Sequence, residues 1–143
     1  NLTTKRYSEA EINDYIENGH FIYSLGVKDK FGDNGITGAA IVLVDKENKC
    51  ADIDSFLLSC RILGKNIENV FLKYILNHLY DQGITTIKSK YISTKKNSQT
   101  SSFYNDNGFE VINESKEEIS YICTLNMKFK IDNKFRIVNS YGE

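Results

Sequence analysis

The sequence has no long hydrophobic run and almost no net charge, and both absences restrict what the protein does. No apolar stretch approaches the ~20 residues that a membrane-spanning helix needs, and no signal-peptide pattern opens the chain. Lysine plus arginine (18) nearly balances aspartate plus glutamate (19) over 143 residues. No strong field therefore draws nucleic acid or a membrane surface, and we expect neither as a partner.

Cysteine is scarce as well. The three cysteines, Cys50, Cys60 and Cys123, are odd in number and lack CxxC spacing. We therefore expect no disulfide framework, no zinc site or other metal site in this domain, and a cytoplasmic location. The sequence begins with Asn rather than Met, which suggests a piece of a longer protein.

The chain does contain alternating helical and strand patterns, in a length that suits one domain. Ser8 and Glu11 form a capping box before a helix predicted over about 9–18, and apolar spacing predicts a long core-facing helix over 67–81. The remaining pattern predicts a turn at 31–35, a short helix at 97–105 and strands at 20–28, 36–44, 50–59, 85–92, 109–113 and 119–129. For the tail, residues 130–143, an extra strand and a loose end are both open.

Residues 54–66 are the most informative stretch, because an apolar strand runs there into a glycine-containing loop and then a helix N-terminus. The first N–H groups of a helix have no intrahelical partner, and the helix dipole favours negative charge beside them. Arg61 and Lys65 add positive charge. The stretch therefore predicts an anion site for a diphosphate or a phosphopantetheine group.

Two segments resemble motifs of the GNAT N-acetyltransferase superfamily. Arg61-Ile-Leu-Gly64-Lys-Asn66 matches its (Gln/Arg)-x-x-Gly-x-(Gly/Ala) pyrophosphate loop, with Asn66 in place of the final small residue. Residues 97–109, which include Asn97 and Tyr104, match its Asn-x-x-Ala-x-x-(Leu)-Tyr-x-x-x-Gly-Phe segment. The resemblance implies an α/β fold whose mixed, mostly antiparallel sheet has splayed parallel central strands and flanking helices.

The same resemblance implies that the pantetheine arm of coenzyme A or of a carrier protein lies between strands 52–59 and 85–92. Asn97 would reach the arm, and Tyr104 would protonate the leaving thiolate. A phenol with a pKa of ~10 is a reasonable donor to a thiolate with a pKa of ~8.5, although a core tyrosine that anchors its helix is the alternative. The residues that match the family's strand and loop contacts are Leu58, Ser59, Arg61, Leu63, Gly64, Lys65 and Asn66.

A finer resemblance is to the C-terminal domain of the FkbH-like family, carried by residues 54–65, by Tyr91-Ile-Ser-Thr-Lys-Lys-Asn97 and by Phe31-Gly-Asp-Asn-Gly35. Members of that family carry an upstream magnesium-dependent phosphatase domain of HAD subfamily IIIC. In polyketide biosynthesis they load a glyceryl group from 1,3-bisphosphoglycerate onto an acyl carrier protein.

This resemblance makes residues 1–8 an interdomain junction, 9–129 a GNAT-like acyltransferase domain and 130–143 a C-terminal tail. It implies transfer of a glyceryl or related acyl group to the phosphopantetheine thiol of an acyl carrier protein. Both the carrier and the upstream phosphatase domain are then partners, and magnesium is expected only in the phosphatase.

Two acidic or nucleophilic residues in the same stretch are further candidates for chemistry. Cys60 lies beside Arg61 and near a helix N-terminus, which favours a thiolate that holds the acyl group as a thioester; a small buried residue behind the loop is the alternative. Asp54 shares a strand face with Asp52 by period two. Asp54 is a candidate base for an incoming thiol or amine, and a solvated edge residue is the alternative.

Two other functions remain open at this point. One is acetyl transfer from acetyl-CoA to an amine. The other is a non-catalytic module that docks a carrier protein, which Asn66 favours because a larger residue in the loop weakens binding of coenzyme A.

Overall fold

The computed structural model describes residues 8–30, 32–59, 64–92, 102–132 and 134–138. Three helices and six strands lie in these ranges. In chain order they are α1 (Glu9–Glu17), β1 (Phe21–Asp29), β2 (Gly32–Asp45), β3 (Cys50–Leu58), α2 (Ile67–Asp81), β4 (Thr86–Ile92), α3 (Phe103–Asp106), β5 (Glu110–Glu114) and β6 (Glu118–Thr124). No helix in the described ranges is long and apolar enough to cross a membrane.

The capping box predicted for α1 is confirmed. The N–H of Glu11 donates to the Ser8 hydroxyl at 3.2 Å, and the N–H of Ser8 donates to the Glu11 carboxylate at 3.2 Å. Each bond satisfies a terminal N–H that a helix leaves without a partner. Sequence therefore sets the start of this helix.

The six strands form one sheet in the order β1-β2-β3-β4-β6-β5. Every neighbouring pair is antiparallel except β3 and β4, which run parallel at the centre. The predicted α/β fold with a mixed, mostly antiparallel sheet, a parallel central pair and flanking helices is confirmed.

The parallel pair is short, because its ladder joins only Cys50–Ile53 of β3 to Thr86–Ser89 of β4. A bulge lies at the point where it ends: neighbouring residues of β2, Ile41 and Val42, pair with Ser55 and Ile53. Asp54 is therefore the extra residue, and a bulge bends its strand. Beyond it, β3 continues against β2 and β4 continues against β6, so the two central strands diverge.

Helices α2 and α3 lie on one face of this sheet. Leu72, Ile75, Leu76 and Leu79 of α2 are fully buried in the main hydrophobic cluster. The Asn107 amide, directly after α3, donates to the Asn69 side chain of α2 at 2.8 Å. Both helices thus pack on the side where the core lies.

The chain beyond β6 packs against α2. The Asn77 side chain makes two hydrogen bonds with the backbone of Phe129, at 2.7 and 3.0 Å, and Lys128 pairs with Asp81 at 2.8 Å. The strand predicted over 119–129 therefore ends early, at Thr124, because the chain leaves the sheet to run along the helix.

Two other predicted elements also differ from the structure. The turn expected at 31–35 is wrong in extent, since β2 already begins at Gly32 and pairs there with Asp29. The helix expected over 97–105 is observed only as Phe103–Asp106, and its first residues lie outside the described ranges.

Candidate functional site

The divergence of β3 and β4 creates a cleft in the middle of the sheet, between residues 54–58 and 90–92. The far end of β3 stays tied to β2, because the N–H of Ser59 donates to the Thr37 carbonyl at 2.8 Å. Leu58 and Ser59, predicted to contact a pantetheine arm, are both half-buried at this end. This end of β3 is followed in the chain by residues 60–63, which lie outside the described ranges, and then by Gly64 and α2.

The described part of that loop, Gly64 to Asn66, has left-handed backbone at both ends, with φ of +83° at Gly64 and +67° at Asn66. A side chain added at Gly64 would meet no atom of the described residues within 4 Å, so on their side the backbone is open to a ligand. Lys65 between them is exposed. Its charge is thus available beside the N-terminus of α2.

Two carboxylates of the chain itself already contact this loop. The N–H of Gly64 donates to Oε2 of Glu68 at 3.3 Å, and the Asn66 amide donates to Oδ2 of Asp132 at 3.3 Å. A carboxylate oxygen is chemically similar to a phosphate oxygen as an acceptor. The donors of this loop therefore fit an anion such as the phosphate of phosphopantetheine.

Four predicted site residues, Cys60, Arg61, Leu63 and Asn97, lie outside the described residues. Their assignments stay predictions that rest on the sequence.

Tyr104 lies on α3 in a cluster of aromatic rings, with its own ring 5.1 Å from that of Phe109 and 5.4 Å from that of Tyr121. The residue is 2% exposed. Burial raises the pKa of the phenol far above its usual range, the neighbouring Ser89 hydroxyl lowers it in part, and the charge of Asp52 raises it further. The phenol is neutral at physiological pH, so it is a hydrogen-bond donor in either predicted role.

Asp54, predicted as a base, is half-buried at the mouth of the cleft. Because it is the extra residue of the bulge, it interrupts the alternation that was expected to put it on one face with Asp52. Asp52 is exposed and pairs in register with Lys88 of β4. Of the two aspartates, the structure brings Asp54 to the place where the strands separate.

Two buried serines at the cleft, Ser55 and Ser89, were not singled out from the sequence. Each is 1% exposed, and neither hydroxyl has a hydrogen-bond partner among the described residues. The available signal was the alternation of β4, in which Ser89 occupies the same phase as the buried Ile87 and Tyr91.

No protein-family model matches the chain, and no curated protein matches it. Solved structures do match its fold. The ribosomal-protein-S18-alanine N-acetyltransferase of Escherichia coli is 12% identical with a TM-score of 0.65, over 85% of this chain and 79% of that one. The fold is that of the GNAT acetyltransferases.

Two further GNAT-fold structures were solved with coenzyme A. PaiA N-acetyltransferase of Thermoplasma acidophilum is 18% identical with a TM-score of 0.60, over 83% of this chain and 80% of that one. N-acetylglutamate synthase of Neisseria gonorrhoeae, which also holds N-acetyl-glutamate, is 13% identical with a TM-score of 0.64, over 85% of this chain and 29% of that one. The resemblance to the FkbH-like family rests on the sequence segments alone.

Proposed function

We propose that the protein is an acyltransferase that binds a pantetheine arm in the cleft between β3 and β4. The observation that carries this proposal is the diverging parallel pair, which leads into an anion-compatible loop at a helix N-terminus. The GNAT-type fold and the coenzyme A bound by two of its structural neighbours support the choice of ligand.

Each residue of the site has a separate role in this proposal. Gly64, Lys65 and the start of α2 hold the phosphate, and Leu58 and Ser59 line the arm. In carrier loading the thiol of the arm is the acceptor and the Cys60 thioester is the donor, whereas in amine acetylation the arm itself carries the acyl group as a thioester. Asp54 accepts a proton from the incoming thiol or amine, and the Tyr104 phenol donates a hydrogen bond to the departing sulfur.

The donor and acceptor that we favour come from the FkbH-like resemblance. In this reading the chain transfers a glyceryl or related acyl group to the phosphopantetheine thiol of an acyl carrier protein, next to an upstream phosphatase domain. Glu68 and Asp132 lie at the phosphate loop and disfavour the additional phosphates of coenzyme A. A carrier-bound arm has a single phosphodiester and is repelled less.

An N-acetyltransferase that uses acetyl-CoA is the second candidate. It is favoured by the activities of the structural neighbours, which are N-acetyltransferases. At their low identity to this chain, these neighbours support the fold but do not identify the acceptor of the acyl group.

Calorimetry on the chain as it stands separates these possibilities. We expect binding to a holo carrier protein, which bears phosphopantetheine, and no binding to the apo form. Tight binding of acetyl-CoA with none to the carrier would support amine acetylation instead. Equal affinity for apo and holo carrier would reduce the protein to a docking module.

The relay predicted for Cys60 has its own test in the protein joined to its phosphatase domain. The Cys60 thiolate would attack the acyl carbon of 1,3-bisphosphoglycerate and expel phosphate, which leaves a Cys60 thioester. The carrier thiol, deprotonated by Asp54, would then attack that thioester and release the Cys60 thiolate. Replacing Cys60→Ala should abolish the acyl-enzyme seen by mass spectrometry and stop carrier loading, with Cys50→Ala as the control. Undiminished loading by Cys60→Ala would contradict the relay.

A further inference from the structure

Two buried hydroxyl groups at the cleft have nothing to bond to within the described part of the chain. Ser55 and Ser89 are each 1% exposed, and neither side-chain oxygen has a hydrogen-bond partner there. A hydroxyl removed from water without a partner loses its hydration with no compensation, so such groups are rare in folded proteins. Both occurring at one place calls for a local cause.

A third buried hydroxyl shows what a partnered one looks like in this sheet. Thr37 of β2 is 4% exposed, and its side chain donates to the Leu25 carbonyl on β1 at 3.4 Å. The sheet therefore can accommodate a buried hydroxyl with a bond to the neighbouring strand. Ser89 lies at the last pair that joins β3 to β4, and Ser55 lies just beyond it, where β3 pairs with β2 alone.

Ser89 marks the last rung of the parallel ladder, since it pairs with Ile53 directly before the strands diverge. Its hydroxyl is close enough to the Tyr104 phenol to lower the pKa of that group, but it does not complete a hydrogen bond. Ser89 is therefore on the α3 side of the cleft.

Ser55 occupies the opposite side. Its neighbour Phe56 packs on Phe71 of α2, with ring centroids 5.3 Å apart, and successive strand residues point to opposite faces. Ser55 therefore points away from α2, one residue past the bulge. The two hydroxyls flank the point of divergence from the two faces of the sheet.

We propose that Ser55 and Ser89 are binding residues whose hydroxyls bond to the polar atoms of an acyl-pantetheine ligand at the fork of the cleft. The proposal rests on the proposed function and adds two contact residues to it. The end of such a ligand carries amide and thioester groups, and each hydroxyl offers one donor and two acceptor positions to them. Because the hydroxyls lie on opposite faces, they contact the ligand where it passes through the sheet.

The test compares Ser55→Ala and Ser89→Ala with the unchanged chain, using coenzyme A and 4′-phosphopantetheine as probes. Each variant should bind both probes roughly three- to tenfold more weakly by calorimetry, which is the effect of losing one hydrogen bond. The midpoint of thermal unfolding should stay the same or rise, because a hydroxyl without a partner is removed.

Two control variants show how large a change in affinity or in unfolding midpoint such substitutions cause elsewhere in the sheet. Ser24→Ala makes the same change at an exposed position of β1 and should alter neither affinity nor unfolding. Thr37→Val removes a partnered buried hydroxyl and should lower the unfolding midpoint.

Affinity equal to that of the unchanged chain would overturn the inference. So would an unfolding midpoint lowered as in Thr37→Val, or failure of either serine variant to fold, since the hydroxyls would then be structural. If the unchanged chain binds neither probe, the proposed function itself fails, and that result is distinct from a failure confined to the variants.

Discussion

Asn66 occupies a position whose backbone has a positive φ. Its φ of +67° lies in the left-handed region. Residues other than Gly, Asn and Asp are strained there. Its side chain is turned toward Asn69 and Asp132. Asn therefore replaces the small residue of the related motif because the backbone turns left-handed here, and the side chain reaches the helix and the tail.

The first prediction compares two small residues at this position. Asn66→Ala should lower the free energy of unfolding by roughly 1 kcal/mol or more, because alanine is strained at positive φ. Asn66→Gly has no such strain and should cost less. Urea denaturation measures both, and an alanine variant as stable as the glycine variant would contradict the backbone explanation.

Tyr104 allows the two roles of a buried tyrosine to be separated. Tyr104→Phe keeps the ring that packs on Phe109 and Tyr121 and removes only the hydroxyl. If the phenol donates to the leaving group, turnover should fall by about 10²-fold while the thermal midpoint hardly changes. Unchanged turnover would leave Tyr104 as an anchor of α3, and Phe109→Tyr serves as a control for an added hydroxyl in the same cluster.

At the scale of the elements, apolar period and capping predicted α1 and α2 well, but α3 and the details of strand pairing less well. The start of α1 and the span of α2 follow from Ser8 and from the apolar spacing of 67–81, both of which are local signals. The bulge at Asp54 has no residue signature of its own, because it depends on which residues of β2 lie opposite. The early end of β6 likewise depends on a distant partner, Asn77.

The candidate site divides in the same way. Its loop was predicted because glycine spacing before a periodic helix is readable in the sequence. The buried serines were not predicted. The alternation of β4 puts Ser89 in phase with Ile87 and Tyr91, but a sequence does not show whether a buried hydroxyl has a hydrogen-bond partner.

The segment after β6 carries a prediction about the loop before α2, Gly64 to Asn66. It runs along α2 and brings Asp132 to Asn66, beside the Glu68 carboxylate that accepts from Gly64. Removing either charge should reduce repulsion of an anionic ligand. We expect Glu68→Gln and Asp132→Asn each to raise the affinity for coenzyme A by about two- to fivefold, and less at high salt.

Asp81→Asn is the matched control for these two variants. Asp81 pairs with Lys128 at the other end of α2, so it anchors the same segment without lying at the loop. Its substitution should leave the affinity for coenzyme A unchanged in the calorimeter. Weaker binding by Glu68→Gln would show that the carboxylate orders the loop rather than repelling the ligand.

For the whole molecule, α2 holds together a sheet whose centre is joined by few pairs. The Tyr23 hydroxyl of β1 lies 2.7 Å from Nδ1 of His78 on α2, and the Phe21 ring packs on the same imidazole. Burial lowers the pKa of His78, and the charge of Asp81 only partly offsets this. The folded protein therefore holds this histidine neutral.

The lowered pKa of His78 makes the stability of the protein depend on pH. A histidine whose pKa is lowered by folding resists protonation in the native state, so the unfolded chain takes up the proton first as pH falls. Its contribution to stability is fully present above the unfolded pKa of ~6.5 and is lost as the pH drops below it. Urea denaturation at pH about 7.5 and about 5.5 should show a smaller loss for His78→Gln than for the unchanged chain, and equal losses would contradict the assignment.

The bulge at Asp54 finally makes the cleft depend on the number of residues in β3 more than on their identity. With Asp54 deleted, Ile53 and Ser55 would become neighbours that match Val42 and Ile41 without interruption, and Phe56 would still face the core. Such a deletion would leave the hydrophobic core intact. It would also allow β3 and β4 to continue their parallel pairing beyond Ile53 and Ser89. Deletion of Asp54 should thus give a folded protein without the cleft, a result that a substitution at the same position would not produce, since a substitution keeps the extra residue.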